Sequence, residues 1–143
     1  MSPVELKTHA RRVPEELLTQ GDLPVIDELF APDCGHRTPL PLSSGAAGAR
    51  QWVTTLRRAF RDLHALIDDE VAEGMTVVQR LTLTGVHDGP YLETPASGRR
   101  VSWPVIDILC AGDDGRFTEH WSMWDQLGLL RQLGGAKTAP EEE

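Results

Sequence analysis

Two ionisable side chains in this sequence stand where charge is expensive. Asp107 interrupts the apolar run Val105, Ile106, Ile108 and Leu109, and His120 lies between Phe117 and Trp121. A carboxylate inside a buried strand costs several kcal/mol of desolvation unless it is paired or shares a proton. Apolar surroundings raise a carboxyl's pKa toward neutrality, and imidazole titrates there already, so both groups suit general acid/base chemistry. The competing reading is a structural pair satisfied by neighbouring hydrogen bonds. Asp125 stands at the start of the last helix, where a cap is expected. Paired with Asp107 it would instead suit epoxide opening, one acid protonating oxygen while a base activates water or an internal hydroxyl.

Other chemistries find no support. The sequence has no H-x-x-x-H, H-E-x-x-H or C-x-x-C spacing, so no metal is expected. It has no glycine-rich phosphate loop between strand and helix and no G-x-S-x-G elbow, so no nucleotide cofactor and no serine nucleophile are expected. Cys34 and Cys110 read as reduced packing residues, and Cys34 is not poised against His36 for proton transfer. His87 falls in a loop before Tyr91, and His9 and His64 lack a catalytic context.

The elements that must position these groups follow from periodicity. Pro3 to Gln20 is helical with a kink or restart at Pro14, and Leu23 to Phe30 is a second helix stopped by Ala31-Pro32. Asp33 to Arg37 is a short strand or edge segment, and Pro39 to Gly48 a loop. Ala49 to Phe60 is the clearest helix, with Trp52, Val53, Leu56 and Phe60 on one face. The period then changes to two. Leu63 to Glu73 and Met75 to Val86 form a hairpin at Gly74, with Leu81 and Leu83 alternating against Arg80, Thr82 and Thr84. After a loop from His87 to Arg100, Val101 to Ala111 and Arg116 to Trp124 form a second hairpin, and Gln126 to Leu133 a last helix. Helices first and a strand meander after, without βαβ alternation, make an α+β domain with an antiparallel sheet packed on one side by helices.

The chain has 143 residues, 40% hydrophobic and 25% charged, which suits a single domain over residues 1–135 with a disordered acidic tail at 136–143. A formal net charge of −8 argues against nucleic acid, and no apolar run is long enough for a membrane. The first residues contain no secretory h-region, which places the expected protein in the cytoplasm.

Several blocks occur in the order of one known pattern. Leu18-Thr19-Gln20-Gly21-Asp22, then Phe30-Ala31-Pro32-Asp33 and His36, resemble the opening of SnoaL-like polyketide cyclases. Gly85-Val86-His87-Asp88-Gly89 and Pro95-Ala96-Ser97-Gly98-Arg99 resemble their G-x-H-x-G and P-x-x-G-R loops. Asp114-Gly115-Arg116, Glu119-His120-Trp121 and Leu129 to Gly134 resemble their C-terminal signature. The resemblance spans roughly residues 10 to 134. It implies the cone-shaped fold of nuclear transport factor 2 and ketosteroid isomerase, and a homodimer through the outer sheet face. It does not transfer chemistry by itself, because this fold hosts isomerases, hydrolases, cyclases and binders.

In ring-closing members of the family an aspartate follows the His-Trp pair and acts as general acid/base; this chain has Ser122 there. The family's second polar residue, a histidine of the preceding strand, falls near Asp107. His36 matches a polar position that lines the family's pocket. If Ser122 takes the aspartate's place, His120 and Trp124 share its inward parity. Trp103, Trp124 and Trp52 are then candidate walls for a flat, apolar substrate, with Tyr91 and Ser122 as further contacts. Related epoxide hydrolases set an arginine between two aspartates, a place only Arg80 could take. The expected function is a cofactor-independent cyclase or isomerase acting on a hydrophobic polyketide-type molecule of secondary metabolism, with Asp107, His120 and His36 catalytic. The alternatives are an epoxide hydrolase or epoxide-opening cyclase, and a non-catalytic binding module.

Overall fold

The computed structural model describes residues 1–135, and the acidic tail expected at 136–143 lies outside the described residues. Helix α1 (Pro3–Arg12) starts from a capping box: Ser2 accepts from the Glu5 amide, and the Glu5 side chain accepts from the Ser2 amide. Pro14 has no N–H to give, and the hydrogen-bond ladder widens there into a π-helical stretch, Val13–Thr19. A 3₁₀ turn (Leu23–Val25) leads into the single turn α2 (Ile26–Leu29). The expected helix ends one residue early because Phe30 is already extended.

Strand β1 runs Phe30–Arg37 and includes Pro32. Proline is tolerated because β1 is a sheet edge with one side unpaired. Helix α3 (Gly45–Ala59) begins four residues before the expected Ala49, on two glycines that nothing larger could replace. Gly45 has φ +71°, and a Cβ there would run into the Pro32 carbonyl. A Cβ on Gly48 would strike the Ser43 carbonyl and crowd the His36 ring. These contacts press the start of α3 against the end of β1.

Strands β2 (Phe60–Glu73), β3 (Thr76–His87), β4 (Arg100–Ala111) and β5 (Phe117–Met123) form the expected meander, followed by α4 (Gln126–Gln132). The sheet order is β1-β5-β4-β3-β2, with β1 and β2 at the edges. Here the antiparallel expectation needs correction. β1 pairs parallel with β5, which makes the sheet mixed. A parallel neighbour needs a long crossover, and everything from α3 to β4 supplies it.

One face of the sheet is covered by the helices. Along β4, Val101, Trp103, Val105, Asp107 and Leu109 alternate inward, and along β3 Val77, Gln79, Leu81 and Leu83 do so. Leu6, Ala10 and Leu17 from the N-terminal helices and Trp52, Val53 and Leu56 from α3 close over them. The opposite face exposes Leu66, Val71, Ile106 and Met123. No helix among the described residues is long and apolar enough to cross a membrane.

Candidate active site

Asp107 points into the covered face, not toward solvent or a partner, and is wholly buried. Across the ladder its register partners are Gln79 on β3 and Ser122 on β5. Burial pushes its carboxyl up to about 7, with Ser122 nearby working weakly the other way. No hydrogen bond of good geometry reaches either carboxylate oxygen, so desolvation dominates.

His120 is also wholly buried. The parallel pairing of β1 with β5 sets it opposite His36, and the two Nδ1 atoms lie 3.0 Å apart. The tautomers follow from one fixed point. The Gly45 carbonyl, 2.9 Å from His36 Nε2, can only accept, so His36 carries its proton on Nε2 and donates it there. Burial holds His36 below its usual pKa, leaving Nδ1 a bare acceptor for the Nδ1–H of His120. The Nε2 lone pair of His120 is therefore left facing Asp107, whose Oδ2 is 4.0 Å away. Burial, and then the neighbouring His36, push His120 down to about 3. Between those two values the pair is a neutral acid beside a neutral base, not an ion pair. Trp52 stacks edgewise on His120 with centroids 4.6 Å apart, and Phe30 flanks both histidines.

The arrangement is a sealed acid/base couple with a gap between its members too long for a direct hydrogen bond. Among known proteins, a model described as SnoaL-like polyketide cyclase matches residues 8–133. The chain belongs to that family.

Over 90 residues this SnoaL-like chain is 38% identical to aklanonic acid methyl ester cyclase DnrD of Streptomyces peucetius, an alignment covering 62% of this chain and 61% of DnrD. The chain thus spans about three fifths of the length of that curated relative. TsrD of Streptomyces laurentii superposes with a TM-score of 0.77 at 37% identity, covering 92% of this chain and 94% of TsrD. AclR of Streptomyces galilaeus, described as a candidate hydroxylase, superposes with a TM-score of 0.82 at 28% identity, covering 98% of this chain and 91% of AclR.

Against the SnoaL-like pattern, Ser122 is inward and buried as its parity required, and Asp107 stands directly opposite it on the next strand. A buried carboxyl thus stands one strand away from Ser122 within the same row. The remaining expected contacts divide into two groups. Trp52 joins the histidines. Trp103, Tyr91 and Trp124 gather farther along the cone, where Phe60 packs on both Trp103 and Tyr91. There the Tyr91 hydroxyl and the Trp124 Nε1–H both donate to Gln126 Oε1, which ties the loop after β3 to α4.

Arg80 does not fit its expected role. It is exposed on the opposite face of β3 from Asp107, because residues of adjacent number alternate across the sheet. Asp125 is also exposed and accepts from the Gly128 amide as the cap of α4. The two-aspartate, one-arginine arrangement for epoxide opening is therefore not assembled. His87 is not in a loop but closes β3, buried, with Nδ1 accepting from the Ser97 amide. Burial pushes the Cys34 thiol up to about 12, which leaves it inert at neutral pH.

Sequence reasoning overlooked Gln79. It is wholly buried in the same row as Asp107, and extending the inward parity of Leu81 and Leu83 by one step would have found it.

Proposed function

We propose that this chain is a cofactor-independent polyketide-type cyclase or isomerase in which Asp107 carries the proton. The observation that supports this best is a wholly buried carboxyl, its pKa raised by desolvation, 4.0 Å from Nε2 of a buried histidine. A group poised near the working pH can both take and return a proton. In an internal aldol closure, ionised Asp107 removes the proton from a carbon flanked by carbonyls. The resulting enolate carbon forms the new bond to a second carbonyl carbon, whose π pair moves to oxygen. Asp107 then returns its proton to that alkoxide, so product and substrate are isomers and the enzyme is unchanged. His120 accepts from a substrate hydroxyl through Nε2 and is held in that tautomer by His36. Trp52, beside the histidines, and Trp103, farther along the covered face, offer apolar contacts to the substrate.

The test is incubation with aklanonic acid methyl ester, the compound in the name of the DnrD relative. The expected result is a cyclised product of unchanged mass but altered chromatographic retention. Saturable binding without conversion would support the binding-module alternative instead.

We also propose that a second copy covers the outer sheet face. Ile106 and Met123 are exposed neighbours across the β4–β5 ladder, with Ile108 and Trp121 paired beside them. Light scattering on the purified protein should give twice the monomer mass, and Ile106→Lys should shift it to one. A wild type that stays monomeric at high micromolar concentration would sink the proposal.

A further inference from the structure

The polar row on the covered face does not stop at Asp107. A β-bulge between Ile67 and Asp69 inserts Asp68 and turns Glu70 inward, opposite Gln79. Glu70, Gln79, Asp107 and Ser122 therefore lie side by side across four adjacent strands. The Glu70 side chain is only 5% exposed, and Arg11 of α1 donates to its Oε1 at 2.9 Å. Its Oε2 accepts from Gln79 Nε2 at 2.8 Å.

This chain of contacts decides which way the Gln79 amide points. A carboxylate already paired with arginine accepts only, so the NH₂ must face Glu70 and the carbonyl oxygen must face away from it. That oxygen is buried and has no hydrogen-bond partner. A glutamine kept for packing would have both ends satisfied, because an orphaned buried acceptor is costly. Here one end is clamped from the protein surface inward, and the other is held out as a bare acceptor. Its neighbour across the ladder is Asp107, with Cβ atoms about 5 Å apart in such pairs.

We propose that Gln79 is a specificity-determining residue: its carbonyl oxygen, aimed by Arg11 and Glu70, accepts from a hydroxyl or enol O–H of the substrate beside the carbonyl on which Asp107 works. The substrate class narrows accordingly to hydroxylated or enolisable ketones, and fully O-alkylated analogues are rejected. This inference rests on the acid/base reading for the role of Asp107, but the binding preference it predicts does not need turnover. A site built to hydrogen-bond a hydroxyl discriminates strongly against analogues lacking it, because its own polar group is then left unpaired.

The experiment compares 3-hydroxyacetophenone with 3-methoxyacetophenone by ligand-observed NMR titration of wild type, Gln79→Met and Glu70→Gln. Methionine keeps the length of glutamine and removes the strong acceptor. Glu70→Gln lets the Gln79 amide turn over, and it carries the test if Gln79→Met fails to fold. Wild type should bind the hydroxy ketone about 5–10-fold more tightly than the methoxy ketone, the range of one neutral hydrogen bond. Gln79→Met should abolish that preference and leave the methoxy affinity unchanged, and Glu70→Gln should reduce it. No preference in wild type, or one that survives both substitutions, overturns the proposal. Conversion of aklanonic acid methyl ester that needs Asp107 but ignores Gln79→Met would remove this subsite alone. A hydroxyl preference lost in Gln79→Met, in a protein that turns nothing over, would leave the subsite standing without the acid/base reading.

Discussion

Replacing Asp107 with asparagine should lower the rate of cyclisation by about 10²–10⁴, the range for loss of a general acid/base. The substitution keeps shape and volume, so the effect should fall on kcat with KM little changed. The pH profile carries the sharper signature. The proposed base is the ionised carboxyl, and burial puts its titration at about 7. Wild-type kcat/KM should therefore rise through that pH and level off above it, while the residual activity of Asp107→Asn should lack that limb. His120→Ala should leave the limb in place and lower its plateau. Full activity in Asp107→Asn, measured as steady-state kinetics from pH 5 to 9, would refute the assignment.

The same substitution should make the protein more stable in alkali. In the unfolded chain the carboxyl titrates near its ordinary 3.8, and in the folded chain at about 7 because ionisation is opposed by burial. Folding thus favours the protonated form. That stability is fully present below about pH 3.8 and is lost as pH rises through about 7. Above that pH the difference corresponds to about 4 kcal/mol against the ionised wild type, an upper figure for a site that can relax. Asparagine carries no such penalty. Asp107→Asn should melt on the order of 10 °C above wild type at pH 8.5 and close to it at pH 4, as read by scanning calorimetry. Equal melting temperatures at both pH values would mean that the carboxyl finds a compensating partner. A gain in stability joined to a loss in rate separates a group kept for chemistry from one kept for structure.

The fold was legible where its signals are local. The period-two runs of β3 and β4, the turn at Gly74 and the Asp125 cap depend on neighbours a few residues away, and all lie where periodicity placed them. The alternation left the face of Asp107 open within its continuous apolar run, and the inward side of His120 and Ser122 was what the family resemblance implied; the structure puts all three on the covered face. What escaped was non-local. Nothing near Phe30 reveals that β1 will lie parallel to a strand whose Phe117 is its register partner, and that pairing sets the His36 and His120 rings together. The inward turn of Glu70 depends on a bulge at Asp68, and a single inserted residue reverses every side chain beyond it. Arg80 was misplaced for a related reason: nearness to Asp107 in the ladder says nothing of the face, which parity alone decides.

The strand order also carries a consequence for how the protein is made. Among the described residues β1 is the earliest strand, and its hydrogen-bonding neighbour in the sheet is β5, the latest. A ribosome delivers β1 first, so its edge stays unmatched through the synthesis of α3, β2, β3 and β4. Contacts between such distant segments are slow to form and leave a partly made sheet open to other chains. The two histidines meet only when that last strand slots between β1 and β4. A nascent or truncated chain that lacks β5 therefore holds the Asp107 carboxyl without the His120 imidazole, and the two come together in one step, when β5 docks.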